Sequence, residues 1–272
     1  MTRAARVSLR VAAMVAIAYT LLCVAVAVLY RRFLYPAPTR SDPPLPADVT
    51  LLEARAKDGA PVRAYRIGPG PDARPPLTLV FFHGNGEVAE DDFGLARALA
   101  SHGWTVVLPE YRGYGVSRSA GRPSEAALYD DAAAAIDSLG VDDEHLVLMG
   151  FSLGTGVAVE MAARGRGRAV VLLAPYTSIP DVASRRVPLL PMRQLMGDKL
   201  DSESKAAKIQ LPVLVAHGDR DEVVPFGMGE TLAHTFPHGR FVTVSGGHHT
   251  DMFAVDDHLL QKIVDFLIEV TP

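Results

Sequence analysis

Eight short apolar runs rich in β-branched residues constrain the fold of this chain more than any other feature. They are Val49–Ala54, Val62–Ile67, Leu77–Phe82, Thr105–Leu108, His145–Met149, Ala169–Leu173, Val213–Ala216 and Phe241–Val244. From Leu77 onward, helical patterns fill most of the gaps between them: Ala89–Ser101, Glu125–Leu139, Thr155–Arg164, Gly227–Thr235 and Asp256–Glu269. Two strands with no helix between them, followed by strand–helix alternation, predict an α/β fold. Its eight-stranded sheet is expected to be mostly parallel, with an antiparallel edge and helices on its flanks. The run LTLVFF is apolar at nearly every position, as a strand covered on both faces should be. The stretch Tyr176–Gln210 breaks the alternation, and no internal repeat is evident. In open parallel sheets ligands bind beyond the carboxyl ends of the strands, so the turns that follow the strands are where chemistry is sought.

Of the 272 residues, 49% are hydrophobic and 21% charged, enough to bury a sizeable core and too apolar for a disordered or acidic solvating segment. The single cysteine, Cys23, excludes an intrachain disulfide and any Cys-based metal cluster. The formal net charge of −4 hides an asymmetry. Six arginines and no acid fall within the first forty residues, which leaves the remainder clearly acidic. An acidic globular part does not suit a phosphate backbone, so no nucleic-acid partner is expected.

From Val11 to Leu29 no residue is charged. Nineteen residues at about 1.5 Å each make a helix of about 28 Å, close to the roughly 30 Å hydrocarbon core of a bilayer. Arginines bracket the run, and Tyr30, Phe33 and Tyr35 sit where an interfacial aromatic belt would lie. A cleaved signal peptide is the rival reading, since Ala25-Val26-Ala27 resembles a cleavage site; a buried core helix is the other. The length of the run and the bulky Leu29-Tyr30-Arg31-Arg32 that follows favour a retained signal-anchor, a single transmembrane helix. The arginine balance favours a cytoplasmic N-terminus with the large domain outside. The expected organisation is an anchor over residues 1–35, a stiff Pro-rich linker over 36–47 and one folded domain over 48–272.

The chemistry gathers at strand ends. After His145–Met149 comes Gly150-Phe151-Ser152-Leu153-Gly154, the G-x-S-x-G pattern, followed by a helical run. That context is what a nucleophile elbow needs, because a strained turn lifts the serine hydroxyl out of the sheet. A serine is a poor nucleophile unless a base adjoins it, itself oriented by an acid, in the chain order Ser, acid, His for such a sheet. Downstream, Val213–Ala216 runs into His217-Gly218-Asp219-Arg220-Asp221, and Phe241–Val244 runs into Ser245-Gly246-Gly247-His248-His249. Either aspartate and either of the last two histidines could complete the set. The loop His83-Gly84-Asn85-Gly86 follows the third strand, where one oxyanion-hole N–H is expected, with the other from the residue after the nucleophile. Those residues are Asn85 and Leu153. The same loop also fits the G-x-G-x-x-A outline of a dinucleotide site, with Glu110 as the acid. That fingerprint normally occupies the first strand–helix turn of its domain, and here two strands precede it.

The segments FFHGNGE, YRGYGVS, GFSLGTGVA, YTSIPD, HGDRDEVVP and GGHHTD resemble the α/β-hydrolase superfamily. More narrowly, they resemble its membrane-anchored Bem46-like group, which includes the α/β-hydrolase-domain-containing proteins 12, 13 and 17. The likeness covers about residues 30–270. It implies an α/β-hydrolase fold with a short cap near 176–210, between the sixth and seventh strands, and a catalytic triad of Ser152, Asp221 and His248. Two positions depart from the group's pattern, which usually has Ala where Gly86 stands and Asn where His249 stands. The resemblance further implies a serine esterase of the carboxylesterase, lipase or thioesterase kind, acting on a small-molecule or lipid-like acyl substrate without a cofactor or metal. An amidase or peptidase using the same triad, and a non-catalytic binding protein on a hydrolase scaffold, are the alternatives.

Overall fold

The computed structural model describes residues 2–38, 44–69 and 76–271; most of the middle of the expected Pro-rich linker lies outside them. A long helix, α1 (Arg3–Leu34), leads into eight strands: β1 (Val49–Arg55), β2 (Pro61–Ile67), β3 (Thr78–Phe82), β4 (Thr105–Glu110), β5 (Leu146–Phe151), β6 (Ala169–Leu173), β7 (Val213–Gly218) and β8 (Gly239–Val244). They form one sheet in the order β1-β2-β4-β3-β5-β6-β7-β8. The β1–β2 and β2–β4 pairings are antiparallel and all the others parallel. The eight expected strands are thus all present, with the antiparallel pairings at the edge where no helix separates the first two runs.

Helices cover both faces, as a parallel sheet requires, because a crossover connection carries the chain back over one face or the other. One face is packed by α3 (Glu125–Ser138) and α4 (Leu153–Ala163), through Leu128, Ile136, Val157 and Met161 against Val80, Leu148 and Val170. The other is packed by α2 (Phe93–Ala100) and the C-terminal helix, Leu259–Glu269, through Phe93, Leu99, Ile263 and Phe266 against Leu79, Val147 and Val171. All five residues of β3 are buried, which is why its sequence shows no alternation.

Between β6 and β7 the chain rises into a small cap of three short helices, α5 (Ile179–Arg186), α6 (Met192–Leu195) and α7 (Glu203–Ala206). After β7 come α8 (Phe226–Thr235), α9 (Met252–Val255) and the C-terminal helix, α10. The last turn of α1 does not stand clear of the folded part. Leu34 and Tyr35, ahead of the expected domain start near Asp48, are buried in the same core as α3, α4 and the cap.

Candidate active site

Ser152 caps the N-terminus of α4 with φ 47° and ψ −115°. A non-glycine residue rarely takes a positive φ, and the cost is tolerated only where the surroundings fix the turn. Here the Ser152 N–H donates to the Leu173 carbonyl of β6 at 2.9 Å. Gly154 lets α4 approach β3, since a Cβ there would collide with the Phe82 carbonyl; one at Gly150 would strike the Gly154 backbone. The glycines of the motif are therefore demanded by close backbone contact.

The hydroxyl of Ser152 lies 3.0 Å from Nε2 of His249, and Nδ1 of that ring lies 2.7 Å from Oδ2 of Asp221. This corrects the expectation that His248 is the imidazole of the set. His248 is exposed and turned away, with its Nδ1 3.0 Å from the carboxylate of Glu222, which raises its pKa. The physical reason lies in the turn after β8. Gly246 takes a left-handed φ of 80°, and the N–H of His248 is held by Oδ1 of Asp251 at 2.6 Å. The neighbouring ring then falls inward, where His249 is only 7% exposed and packs 5.2 Å from the ring of Phe151.

Asp221 lies in the turn after β7. Its Oδ1 accepts the N–H groups of Val223 and Val224, each at 2.8 Å, while Oδ2 faces His249 and, at 3.2 Å, Nε2 of His217. Burial pushes its pKa up, but the hydrogen bonds from His217 and His249 outweigh that and hold it well below the usual carboxylate range. Nε2 of His217 also faces the Val224 carbonyl at 3.1 Å, so both its neighbours are acceptors and it carries the proton. His217 was visible in the sequence only as the residue following the run Val213–Ala216, with nothing to mark it as a partner of Asp221. Asp219, the other acid of the turn, instead accepts the N–H of Gly246 at 2.7 Å.

The loop carrying Asn85 is held from beneath, carbonyl by carbonyl. Tyr111 donates to the His83 carbonyl at 2.8 Å, the His83 ring faces the Gly84 carbonyl at 2.8 Å, and Tyr114 donates to the Asn85 carbonyl at 3.2 Å. In a trans peptide the N–H points opposite to the C=O, so the Asn85 N–H is directed away from the His83 ring. Burial lowers the pKa of His83, yet Glu110, 3.1 Å from its Nε2, more than offsets this and raises it. The YRGYG segment is thus the floor of the loop. Leu153 is the first residue of α4, and its N–H has no acceptor within the helix.

Beside this loop, burial, reinforced by the nearby charge of Glu87, raises the pKa of Asp92 to about 7. The folded chain then binds a proton that the unfolded chain, with its carboxyl near the ordinary value of about 3.9, does not. That contribution to stability is full below about pH 4 and is lost as pH rises through about 7. Asp92→Asn is therefore expected to melt about 2–8 °C above the parent at about pH 8, and together with it at about pH 4. Thermal melts at the two pH values check this.

A groove of about 720 Å³ opens in front of Ser152, within the size range of small-molecule sites. Its lining is mostly apolar and joins Ser152, Leu153 and Asn85 to the cap residues Val182, Val187 and Leu190. A further wall is α1 itself, from Ala25 to Leu34. No sequence signal pointed to that wall. Among the described residues, no group of three or more His, Cys, Asp or Glu side chains is gathered as a metal would require.

Residues 78–201 match the family profile described as alpha/beta hydrolase fold, and residues 196–271 match one described as TAP-like protein. Among curated relatives, an uncharacterized Mycobacterium tuberculosis protein is 39% identical over 181 residues, 64% of each chain. The mouse alpha/beta hydrolase domain-containing protein 17C is 33% identical over 205 residues, 72% of this chain and 61% of its own. The Escherichia coli uncharacterized protein YfhR is 29% identical over 239 residues, 83% of this chain and 82% of its own. This chain therefore spans somewhat under two thirds of the first two of these relatives. Among solved structures, a thermophilic esterase from Thermogutta terrifontis superposes with a TM-score of 0.65 at 19% identity, covering 82% of this chain and all of its own. The esterase RhEst1 from Rhodococcus gives the same TM-score, 0.65, at 19% identity, over 81% and 99% of the two chains.

Proposed function

The chain belongs to the α/β-hydrolase fold family, and on that premise we propose that it is a serine hydrolase cleaving carboxylic ester or thioester bonds of acyl substrates. One observation carries the reading: Ser152, His249 and Asp221, far apart in sequence, form a continuous hydrogen-bonded line at the carboxyl rim of the sheet. Asp221 accepts from Nδ1–H of His249 and so leaves Nε2 free to accept the proton of Ser152. The Ser152 oxygen attacks the acyl carbonyl while His249 takes its proton. Collapse of the tetrahedral intermediate expels the alcohol or thiol, which receives that proton from His249. Water, deprotonated by the same ring, then attacks the acyl-enzyme and releases the acid and Ser152.

The N–H groups of Asn85 and Leu153 are proposed to hold the oxyanion. Support comes from the tethering of the loop carbonyls and from the place of Leu153 at a helix N-terminus, where the dipole favours negative charge. The apolar lining of the groove supports an acyl rather than a highly polar substrate.

Ser152→Ala is expected to abolish turnover of p-nitrophenyl acyl esters and covalent labelling by a fluorophosphonate. Labelling that persists in this variant would overturn the assignment of the nucleophile.

A further inference from the structure

Resting on the hydrolase reading, we propose that α1 is a working part of the acyl site: the groove opens sideways between α1 and the cap into the hydrocarbon layer, and the substrate is a long-chain acyl ester taken from the bilayer. Three observations lead there. The first is a docked face within the anchor. Tyr19, Cys23, Val26, Tyr30 and Leu34 recur at spacings that fall on one side of a helix. Tyr19 Oη donates to the Leu189 carbonyl at 2.9 Å, and Tyr30 Oη accepts the N–H groups of Gly197 and Asp198 at 3.1 and 3.0 Å. Arg31 forks onto the buried Asp198 at 2.7 and 2.9 Å, and Asn85 Nδ2 reaches the Leu34 carbonyl at 3.1 Å. The anchor is thereby tied to the cap and to the loop beside Ser152.

The second is depth. Tyr19 is ten residues before Leu29, so it sits about 15 Å into a run able to cross a core of about 30 Å. The cap segment 187–190 that meets Tyr19 must lie at that depth if the run spans. It carries Leu189, 85% exposed, and Val187, 39% exposed.

The third is how the backbone of this segment is satisfied, since an unpaired polar group costs several kcal/mol in hydrocarbon. Val187 N–H donates to the Ala183 carbonyl and Leu190 N–H to the Val187 carbonyl, both at 3.0 Å. Pro188 has no N–H, and Tyr19 covers the Leu189 carbonyl. A tip whose residues are apolar and which turns these polar groups onto the protein suits lipid better than water. Between this tip and α1 runs the groove, with Ala25, Leu29 and Phe33 on the helix side, ending at Ser152.

The test uses the full chain in phosphatidylcholine vesicles. Leu189 does not line the groove, so it reports on immersion alone. In Leu189→Trp, lipids brominated along their acyl chains are expected to quench the added fluorescence at least twofold, with the parent, whose Trp104 is buried, as baseline. In Leu189→Asp, hydrolysis of a vesicle-embedded dodecanoyl ester should fall about tenfold while that of water-soluble p-nitrophenyl acetate stays within twofold. Ala25→Trp, which fills the helix side of the groove, should lower the dodecanoyl-to-acetyl rate ratio about tenfold. Unquenched fluorescence, or an unchanged ratio in Ala25→Trp, with fluorophosphonate labelling of Ser152 intact, would overturn this proposal and leave the hydrolase reading standing. Absent labelling in the parent would instead remove the hydrolase reading, and this proposal with it.

Discussion

His249→Ala is expected to lower kcat for p-nitrophenyl acyl esters by about 10⁴-fold or more, the scale seen when a triad base is removed. His248→Ala, one residue away, is expected to stay within about threefold of the parent. The contrast follows from geometry. Only the ring of His249 meets both the Ser152 hydroxyl and the Asp221 carboxylate, whereas His248 points to Glu222 at the surface. Without an imidazole at 249, nothing within reach accepts the Ser152 proton as the carbonyl is attacked. Steady-state kinetics on both variants, with fluorophosphonate labelling rates alongside, decide the matter. The reverse pattern, with His248→Ala inert and His249→Ala active, would return the role to the residue that the family pattern indicates.

Asp221→Asn should be nearly as damaging, with a loss of about 10⁴-fold in kcat, comparable to the same change in other triads. Oδ1 accepts from the two backbone N–H groups of Val223 and Val224, so the asparagine must keep its oxygen there and put its amide nitrogen where Oδ2 stood. That nitrogen donates to Nδ1 of His249 and forces the proton onto Nε2, where it faces Ser152 as a donor. The base is then present in the wrong tautomer. The same amide also meets the N–H of His217, so a donor–donor contact arises in a buried place. Thermal melts are expected to show a loss of stability as well. Kinetics on the folded fraction, at saturating ester, isolate the catalytic part; kcat within tenfold of the parent would argue against the assigned role of Asp221.

Much of this architecture is legible in the amino acids because it rests on period and position. Buried parallel strands write themselves as unbroken apolar runs, and the rim of such a sheet is where Ser152, Asp221 and the His-His pair were sought. Choosing between adjacent histidines is a different problem. Both lie in one turn, and the outcome depends on the left-handed Gly246 and on Asp251 capturing the N–H of His248, two conformational facts with no periodicity behind them. The wall supplied by α1 was illegible for another reason. Its docked face is drawn from residues as apolar as those around it, so no stripe stands out against the run, and its partners at Leu189, Gly197 and Asp198 lie more than 160 residues downstream. His217 was hidden likewise, because a histidine closing a strand reads as ordinary until its ring is seen against Asp221.

The fork from Arg31 onto Asp198, with the Tyr30 hydroxyl wedged against the same turn, has a mechanical consequence. A domain hung on a supple leash would tumble and offer every side in turn to its surroundings. One held to its long first helix at Tyr19, at Tyr30 and Arg31, and at Leu34 turns about that helix far less freely. The mouth above Ser152, walled on one side by the same helix, therefore faces a direction that the helix sets.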